Sequence, residues 1–126
     1  MGVPLSLRRW FLIHFVLDYV FAIPLFLAPE WFLGILGWSV VDPFASRLVS
    51  AALFGIGGVS LLARKASKEA YQHLLMLKLA WSGTAVVGMF ITLLQGAPVF
   101  GWVVLALFAA FFCVWLYYVV QLKASS

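Results

Sequence analysis

The chain has 126 residues, of which 66% are hydrophobic and 10% are charged, and its formal net charge is +4. A water-soluble domain carries about 25% charged residues, so this chain has too little polar surface to cover a globule in water. The composition therefore predicts a protein whose main solvent is the lipid bilayer. The basic residues form short clusters beside apolar runs, which argues against nucleic acid as a partner.

Four stretches are long and apolar enough to cross a bilayer, which takes about 20 helical residues. They cover residues 10–28, 43–64, 70–94 and 98–122. Asp42 and Pro43 are typical of the cap and the first residue of a helix, and Ser67 is a candidate cap for the third span. Because short connections make consecutive helices antiparallel, we predict an all-α, polytopic membrane protein of one domain, a four-transmembrane-helix antiparallel bundle.

The first span carries two ionisable side chains, His14 and Asp18, in the otherwise apolar stretch "FLIHFVLDYVFAIPLF". Their spacing of four residues places both on one face of a helix. Asp18 follows Arg9 by nine residues, which at 1.5 Å per residue is roughly 14 Å into the bilayer. Ionisable side chains at such depth almost always face the bundle interior and are paired. We therefore expect Asp18 to have a partner within the protein.

The segment "PEWFLGILGW" between the first two spans, residues 29–38, is too short to cross the bilayer. Its bulky apolar residues would share one side of a short helix, as in helices that lie in the membrane interface. These residues are Trp31, Phe32, Ile35 and Trp38. The alternative is a hydrophobic surface loop.

The positions of lysine and arginine predict the orientation. Six basic residues fall on one side of the membrane: Arg8, Arg9, Arg64, Lys65, Lys68 and Lys123. The other side receives Glu30, Asp42 and Arg47, so the positive-inside rule places both ends of the chain in the cytoplasm and the protein in the plasma membrane. We expect Arg47 to extend to the lipid phosphates, and its alternatives are an ion pair with Glu30 or Asp42 or a position guarding an outer opening.

The second span carries small residues on one stripe, Ala51, Gly55 and Gly58. Small residues at helical spacing let two membrane helices approach closely. The stripe predicts a close helix contact, either inside the bundle or between copies of the chain in a homo-oligomer.

The third span carries Lys78, which follows Lys68 by ten residues and therefore lies at about the depth of Asp18. Two opposite charges at one depth on different helices predict a buried Asp18–Lys78 pair. Lys78 shares its helical face with Ser82. We expect Asp18, Lys78, His14 and Ser82 to form a polar centre, whose role is either structural or functional.

The stretch "DPFASRLVSAALFGIGGVSLLAR", residues 42–64, resembles the second helix of many small prokaryotic four-helix membrane proteins, including uncharacterised families similar to the DoxX group. The resemblance rests on a proline start, an arginine and a glycine-rich apolar run. It implies the fold and the membrane location, and it assigns no functional residue.

The sequence contains no recognisable catalytic or cofactor-binding pattern. Its single cysteine, Cys113, excludes an internal disulfide, and we find no metal-ligand spacing, phosphate-binding loop or Ser/His/Asp arrangement. We therefore predict no cofactor and a non-catalytic structural or accessory membrane component, whose partner would be a second copy of the chain or another membrane protein. The alternative is a small-solute or proton-coupled transporter that uses Asp18, Lys78 and His14, and a third class is a membrane redox or lipid-modifying enzyme.

Overall fold

The computed structural model describes residues 2–125, and this part of the chain contains five helices and no strand. They are α1 (Leu5–Leu27), α2 (Pro29–Ile35), α3 (Pro43–Leu62), α4 (Lys68–Gln95) and α5 (Phe100–Ala124). All except α2 are long and apolar enough to span a membrane. The predicted fold class, an all-α multi-pass membrane protein of the helical-bundle type, is confirmed.

Helix α1 begins at Leu5, five residues before the apolar span predicted from the sequence. Its first turn is closed by the carbonyl oxygen of Pro4, which accepts hydrogen bonds from the amides of Leu7 and Arg8. Leu7 is fully buried, so the packed face of the helix continues beyond the membrane-length apolar run. Hydropathy located the apolar part of the helix, and packing sets where the helix starts.

The segment after α1 forms the short helix α2, which decides between the helix and the loop considered above. Its bulky residues do not share one side. Trp31 and Ile35 are exposed, whereas the ring of Phe32 packs edge-on against Phe21 of α1, with ring centroids 6.1 Å apart. The location of α2 in the membrane interface stays a prediction, supported by the exposed Trp31 and Ile35.

Both predicted helix caps are confirmed. Asp42 Oδ1 accepts hydrogen bonds from the amides of Phe44 at 3.0 Å and Ala45 at 3.3 Å, at the start of α3. Ser67 Oγ accepts one from the amide of Ala70 at 3.2 Å, at the start of α4. These bonds satisfy backbone donors that the first helical turn leaves without an intrahelical partner.

The connection between α4 and α5 is short and depends on one glycine. Gly96 follows α4 with φ of +117°, a conformation that L side chains rarely adopt. Helix α5 then begins at Phe100, two residues after the predicted start at Pro98, whose carbonyl oxygen accepts from the amide of Gly101.

The chain divides into two compact units. The N-terminal unit, Pro4–Lys65, contains α1, α2 and α3, and its main contact is between α1 and α3. The C-terminal unit contains α4 and α5, packed against each other. That all four long helices form one domain stays a prediction from their short connections.

The described residues combine exposed large apolar side chains with several buried polar ones, which is unusual in a water-soluble protein. Several large apolar side chains are at least 80% exposed: Val40, Phe44, Leu62 and Val99. The buried polar and charged side chains are His14, Asp18, Ser50, Ser60, Lys78 and Ser82. Exposed apolar side chains together with buried polar groups suit lipid as a solvent.

Candidate functional site

Helices α1 and α3 run antiparallel and are joined by side chains that donate hydrogen bonds to carbonyl oxygens of the facing helix. Tyr19 donates to the carbonyl oxygen of Phe54 (3.2 Å), Ser50 to that of Ala22 (2.8 Å), and Arg47 to that of Phe26 (2.8 Å). From one pair to the next, the residue number rises along α1 as it falls along α3. This register determines which residues of α3 face His14 and Asp18 on α1.

His14 and Asp18 lie in contact on the buried face of α1. His14 Nε2 is 3.3 Å from Asp18 Oδ1, and both side chains are less than 10% exposed. The shared face predicted from their spacing is confirmed. A carboxylate held against an imidazole can exchange a proton with it or form an ion pair with it when the imidazole is protonated.

Asp18 packs directly against Gly57 of α3. A Cβ atom added to Gly57 would lie 2.8 Å from Asp18 Cβ and 3.2 Å from Asp18 Oδ2. These distances are too short for any side chain, so α1 and α3 approach each other closely at the height of the charged residue. Sequence reasoning missed Gly57, because the stripe it considered runs along a neighbouring face of α3.

Gly58 packs against Tyr19, the residue that follows Asp18 in α1. A Cβ at Gly58 would lie 2.9 Å from the Tyr19 hydroxyl oxygen, which donates to the carbonyl oxygen of Phe54. The ring of Tyr19 also packs edge-on against Phe54, with centroids 5.0 Å apart. The consecutive glycines Gly57 and Gly58 thus pack against two consecutive residues of α1, Asp18 and Tyr19.

Within the N-terminal unit, the residues of the predicted stripe on α3 have different surroundings. Only Gly58 meets α1, whereas Ala51 is exposed and a Cβ at Gly55 would have open space around it. The physical reason is helix rotation: Gly57, one position before Gly58, faces α1 in place of Gly55. A contact of Ala51 and Gly55 between copies of the chain stays a prediction.

The three charged residues predicted on the outer side belong to helix ends in the N-terminal unit. Arg47 donates from Nε to the carbonyl oxygen of Phe26, in the last turn of α1, where helix carbonyls lack intrahelical partners. Asp42 caps α3, and Glu30 lies in the first turn of α2, where a negative charge is favourable. The contact of Arg47 with a backbone carbonyl was not among the alternatives considered from the sequence.

In the C-terminal unit, Lys78 lies on the buried face of α4 and is 2% exposed. Its Nζ is 4.9 Å from the ring centroid of Trp115 on α5, a cation–π distance. Ser82 is buried on the same face, as predicted, and its hydroxyl donates to the carbonyl oxygen of Lys78 at 2.8 Å. The hydroxyl therefore binds the backbone of its own helix.

Buried residues of the two units correspond at similar separations in the sequence, 60 residues between α1 and α4 and 58 between α3 and α5. Three buried residues of α1 match three of α4: Phe11 with Tyr71, Asp18 with Lys78, and Ala22 with Ser82. On the second long helices, Gly57 and Ser60 of α3 match Trp115 and Tyr118 of α5. Each unit therefore buries one of these two residues in its first long helix, where Asp18 faces a glycine and Lys78 faces a tryptophan.

The chain matches no protein-family model, no curated protein and no solved structure. The resemblance of residues 42–64 to DoxX-like proteins therefore remains an interpretation of the sequence.

Proposed function

We propose that this protein is a non-catalytic structural or accessory component of the cytoplasmic membrane, in which buried charges specify how its helices assemble. The observation that carries the proposal is the close packing around both charges. Gly57 leaves no room beside Asp18, and the ring of Trp115 lies against Lys78. Side chains held this tightly are typical of groups that fix helix contacts and their register.

The proposal includes an ion pair between Asp18 and Lys78. Three observations support it: the two residues lie at similar distances from basic residues near the starts of their helices, nine residues from Arg9 and ten from Lys68, both are buried, and they belong to the set of buried residues of α1 and α4 that are 60 apart in the sequence. Burying a charge in a membrane is costly unless an opposite charge accompanies it. An ionic pair at this level would give each charge a partner of opposite sign.

A double-mutant cycle tests this pair. Asp18→Asn and Lys78→Met should each lower the free energy of unfolding by about 3–5 kcal/mol, because each leaves a buried charge without its partner. The variant with both changes should lose less than either single variant, a coupling that the cycle measures directly. Unfolding in mixed detergent micelles, followed by circular dichroism, gives the four free energies.

The matched control pairs Asp18→Asn with Lys123→Met, because Lys123 is exposed at the end of α5. These two changes should be additive. If Asp18→Asn and Lys78→Met were additive as well, the two residues would not be paired, and this part of the proposal would be wrong.

A second candidate function is a proton-coupled transporter, and the contact between His14 and Asp18 favours it. Buried carboxylate and histidine residues within membrane helices are the groups that proton relays use. Proteoliposomes that contain a pH-sensitive dye would show proton flux if this function were correct. His14→Gln should then abolish the flux, whereas a structural protein would show no flux above that of empty liposomes.

A further inference from the structure

One arginine and two carboxylates belong to the end of the N-terminal unit where α1 stops and α3 starts. Arg47 of α3 donates from Nε to the carbonyl oxygen of Phe26 at 2.8 Å. Glu30 follows Phe26 by four residues and lies in the first turn of α2. Asp42 precedes Arg47 by five residues and caps α3. The bond between Arg47 and Phe26 therefore brings the three charged groups to one end of the helix pair.

These three groups do not neutralise one another. Within residues 2–125, no ion pair joins Arg47 to Glu30 or to Asp42. The Asp42 carboxylate uses Oδ1 for the cap, and the Glu30 carboxylate accepts no hydrogen bond from the described residues. All three residues are exposed. This end therefore presents one positive and two negative groups that are accessible to a partner.

The guanidinium group of Arg47 is held in a fixed position. Its Nε donates to the Phe26 carbonyl oxygen, whereas the donors on its two Nη atoms have no acceptor in the described part of the chain. A guanidinium group presents its donors as a planar fork that matches the oxygen atoms of a phosphate group. Because one donor is already bound to α1, less conformational freedom is lost when the others bind a ligand. Arg47 is therefore suited to hold a phosphate group.

Apolar surface adjoins these charges. Phe44 precedes Arg47 by three residues and Leu48 by four, so the three side chains share one side of α3. Phe44 is 81% exposed and Leu48 is 65% exposed. A soluble zwitterion would use only the charged groups. An amphiphile would use both parts, with its headgroup at the charges and its hydrocarbon chains along the two apolar side chains.

We propose that this end of the N-terminal unit binds a phospholipid whose headgroup carries both a phosphate and a primary ammonium group, as in phosphatidylethanolamine. The Nη donors of Arg47 bind the phosphate, and the ammonium group donates to the carboxylates of Glu30 and Asp42. The acyl chains lie against Phe44 and Leu48. One positive and two negative groups give a net formal charge of −1, which disfavours a headgroup with net negative charge. Recognition of the ammonium group goes beyond the proposed structural function.

The test uses the purified full chain in a neutral detergent and four probes: phosphatidylethanolamine, phosphatidylcholine, phosphatidylglycerol and soluble phosphoethanolamine. Native mass spectrometry counts bound lipid, and thermal unfolding measures the stabilisation that each probe gives. We expect phosphatidylethanolamine to raise the midpoint of unfolding most. The quaternary ammonium of phosphatidylcholine has no N–H to donate, and phosphatidylglycerol has no positive group, so both should stabilise the protein less. Phosphoethanolamine, which lacks acyl chains, should have no effect at the same concentration.

A double variant, Glu30→Gln with Asp42→Asn, locates the ammonium group. The fold should persist, because Glu30 accepts no hydrogen bond from the described residues and asparagine can still cap α3. Phosphatidylethanolamine binding should weaken by about twofold to fivefold, and its preference over phosphatidylglycerol should disappear. The matched control is Glu69→Gln, which removes an exposed carboxylate from the first turn of α4 and should change neither quantity.

Arg47→Gln locates the phosphate. This change removes the Nη donors together with the bond to Phe26, so its effect is measured as the stabilisation that lipid adds to the variant itself. That increment should be lost for phosphatidylethanolamine and for phosphatidylcholine, because both lipids carry the phosphate. An increment as large as in the unchanged chain would contradict the assignment of Arg47.

Four further outcomes would overturn the proposal. Equal stabilisation by phosphatidylcholine would show that the ammonium donors are not recognised. Equal or greater stabilisation by phosphatidylglycerol would show that the two carboxylates do not select the headgroup. Stabilisation by phosphoethanolamine that matches the lipid would indicate a soluble zwitterion as the occupant. An unchanged lipid preference in the Glu30→Gln, Asp42→Asn variant would place the lipid elsewhere on the protein.

Discussion

Gly57→Ala measures how closely α1 and α3 approach beside the buried carboxylate. Carbon atoms pack best at about 3.5–4.0 Å, so a Cβ that lies 2.8 Å from Asp18 Cβ requires a movement of roughly 0.7–1.2 Å at this point. Asp18 Cβ is attached directly to the backbone of α1, so rotation of its side chain cannot supply that movement. Forcing an extra methyl group into a packed contact costs about 1–3 kcal/mol.

The matched control is Gly55→Ala, in the same helix and two residues away, where the added Cβ meets nothing within 4 Å. Both substitutions gain about 0.8–1.0 kcal/mol of helix propensity, which cancels in the comparison. We therefore expect Gly57→Ala to be less stable than Gly55→Ala by about 1–3 kcal/mol. Reversible unfolding in mixed detergent micelles, followed by tryptophan fluorescence or circular dichroism, measures this difference.

Equal stability of the two alanine variants would refute the reasoning, because it would mean that α1 does not approach α3 at Gly57. A less stable Gly55→Ala would refute it as well, since the stripe predicted from the sequence would then be the tighter contact. Loss of an oligomer in Gly55→Ala, without a change in the stability of the monomer, would place that stripe between copies of the chain.

Three further predictions use the same preparations. Tyr19→Phe removes the hydroxyl that donates to the carbonyl oxygen of Phe54 and should lower the free energy of unfolding by about 1 kcal/mol, and an unchanged value would mean that this hydrogen bond adds nothing. Gly83→Ala should be less stable than Gly88→Ala, because a Cβ would lie 3.0 Å from Phe112 at the first position and in open space at the second. Cysteines introduced at each end of the chain and between α3 and α4 should react only with reagents that reach the cytoplasm, and labelling of the C-terminal cysteine from outside would contradict the proposed orientation.

The sequence by itself determined the fold class and, except for the start of α1, the ends of the long helices to within two residues. Spans of about 20 apolar residues are read directly from hydropathy, because the thickness of the bilayer sets their length. Caps are equally local, since Asp42 and Ser67 bond amides two or three residues further along the chain. The contact of His14 with Asp18 is also local, because a helix brings residues four apart together whatever packs against it.

Only the tertiary structure decided which residues of one helix meet those of another. Helical periodicity predicts that Ala51, Gly55 and Gly58 share a stripe, but it does not predict the rotation of α3 about its axis. That rotation is set by the summed packing of α1 against α3, and it turns Gly57 toward Asp18.

The contacts of Arg47 and Lys78 depend on tertiary structure for the same reason. Arg47 could have met a carboxylate or a lipid phosphate, and the antiparallel register brings it to a carbonyl oxygen at the end of α1. Lys78 lies beside Trp115 because the register of α4 and α5 places them level with each other. The register and rotation of packed helices are set by contacts between residues far apart in the chain. The sequence pattern within one helix does not specify those contacts.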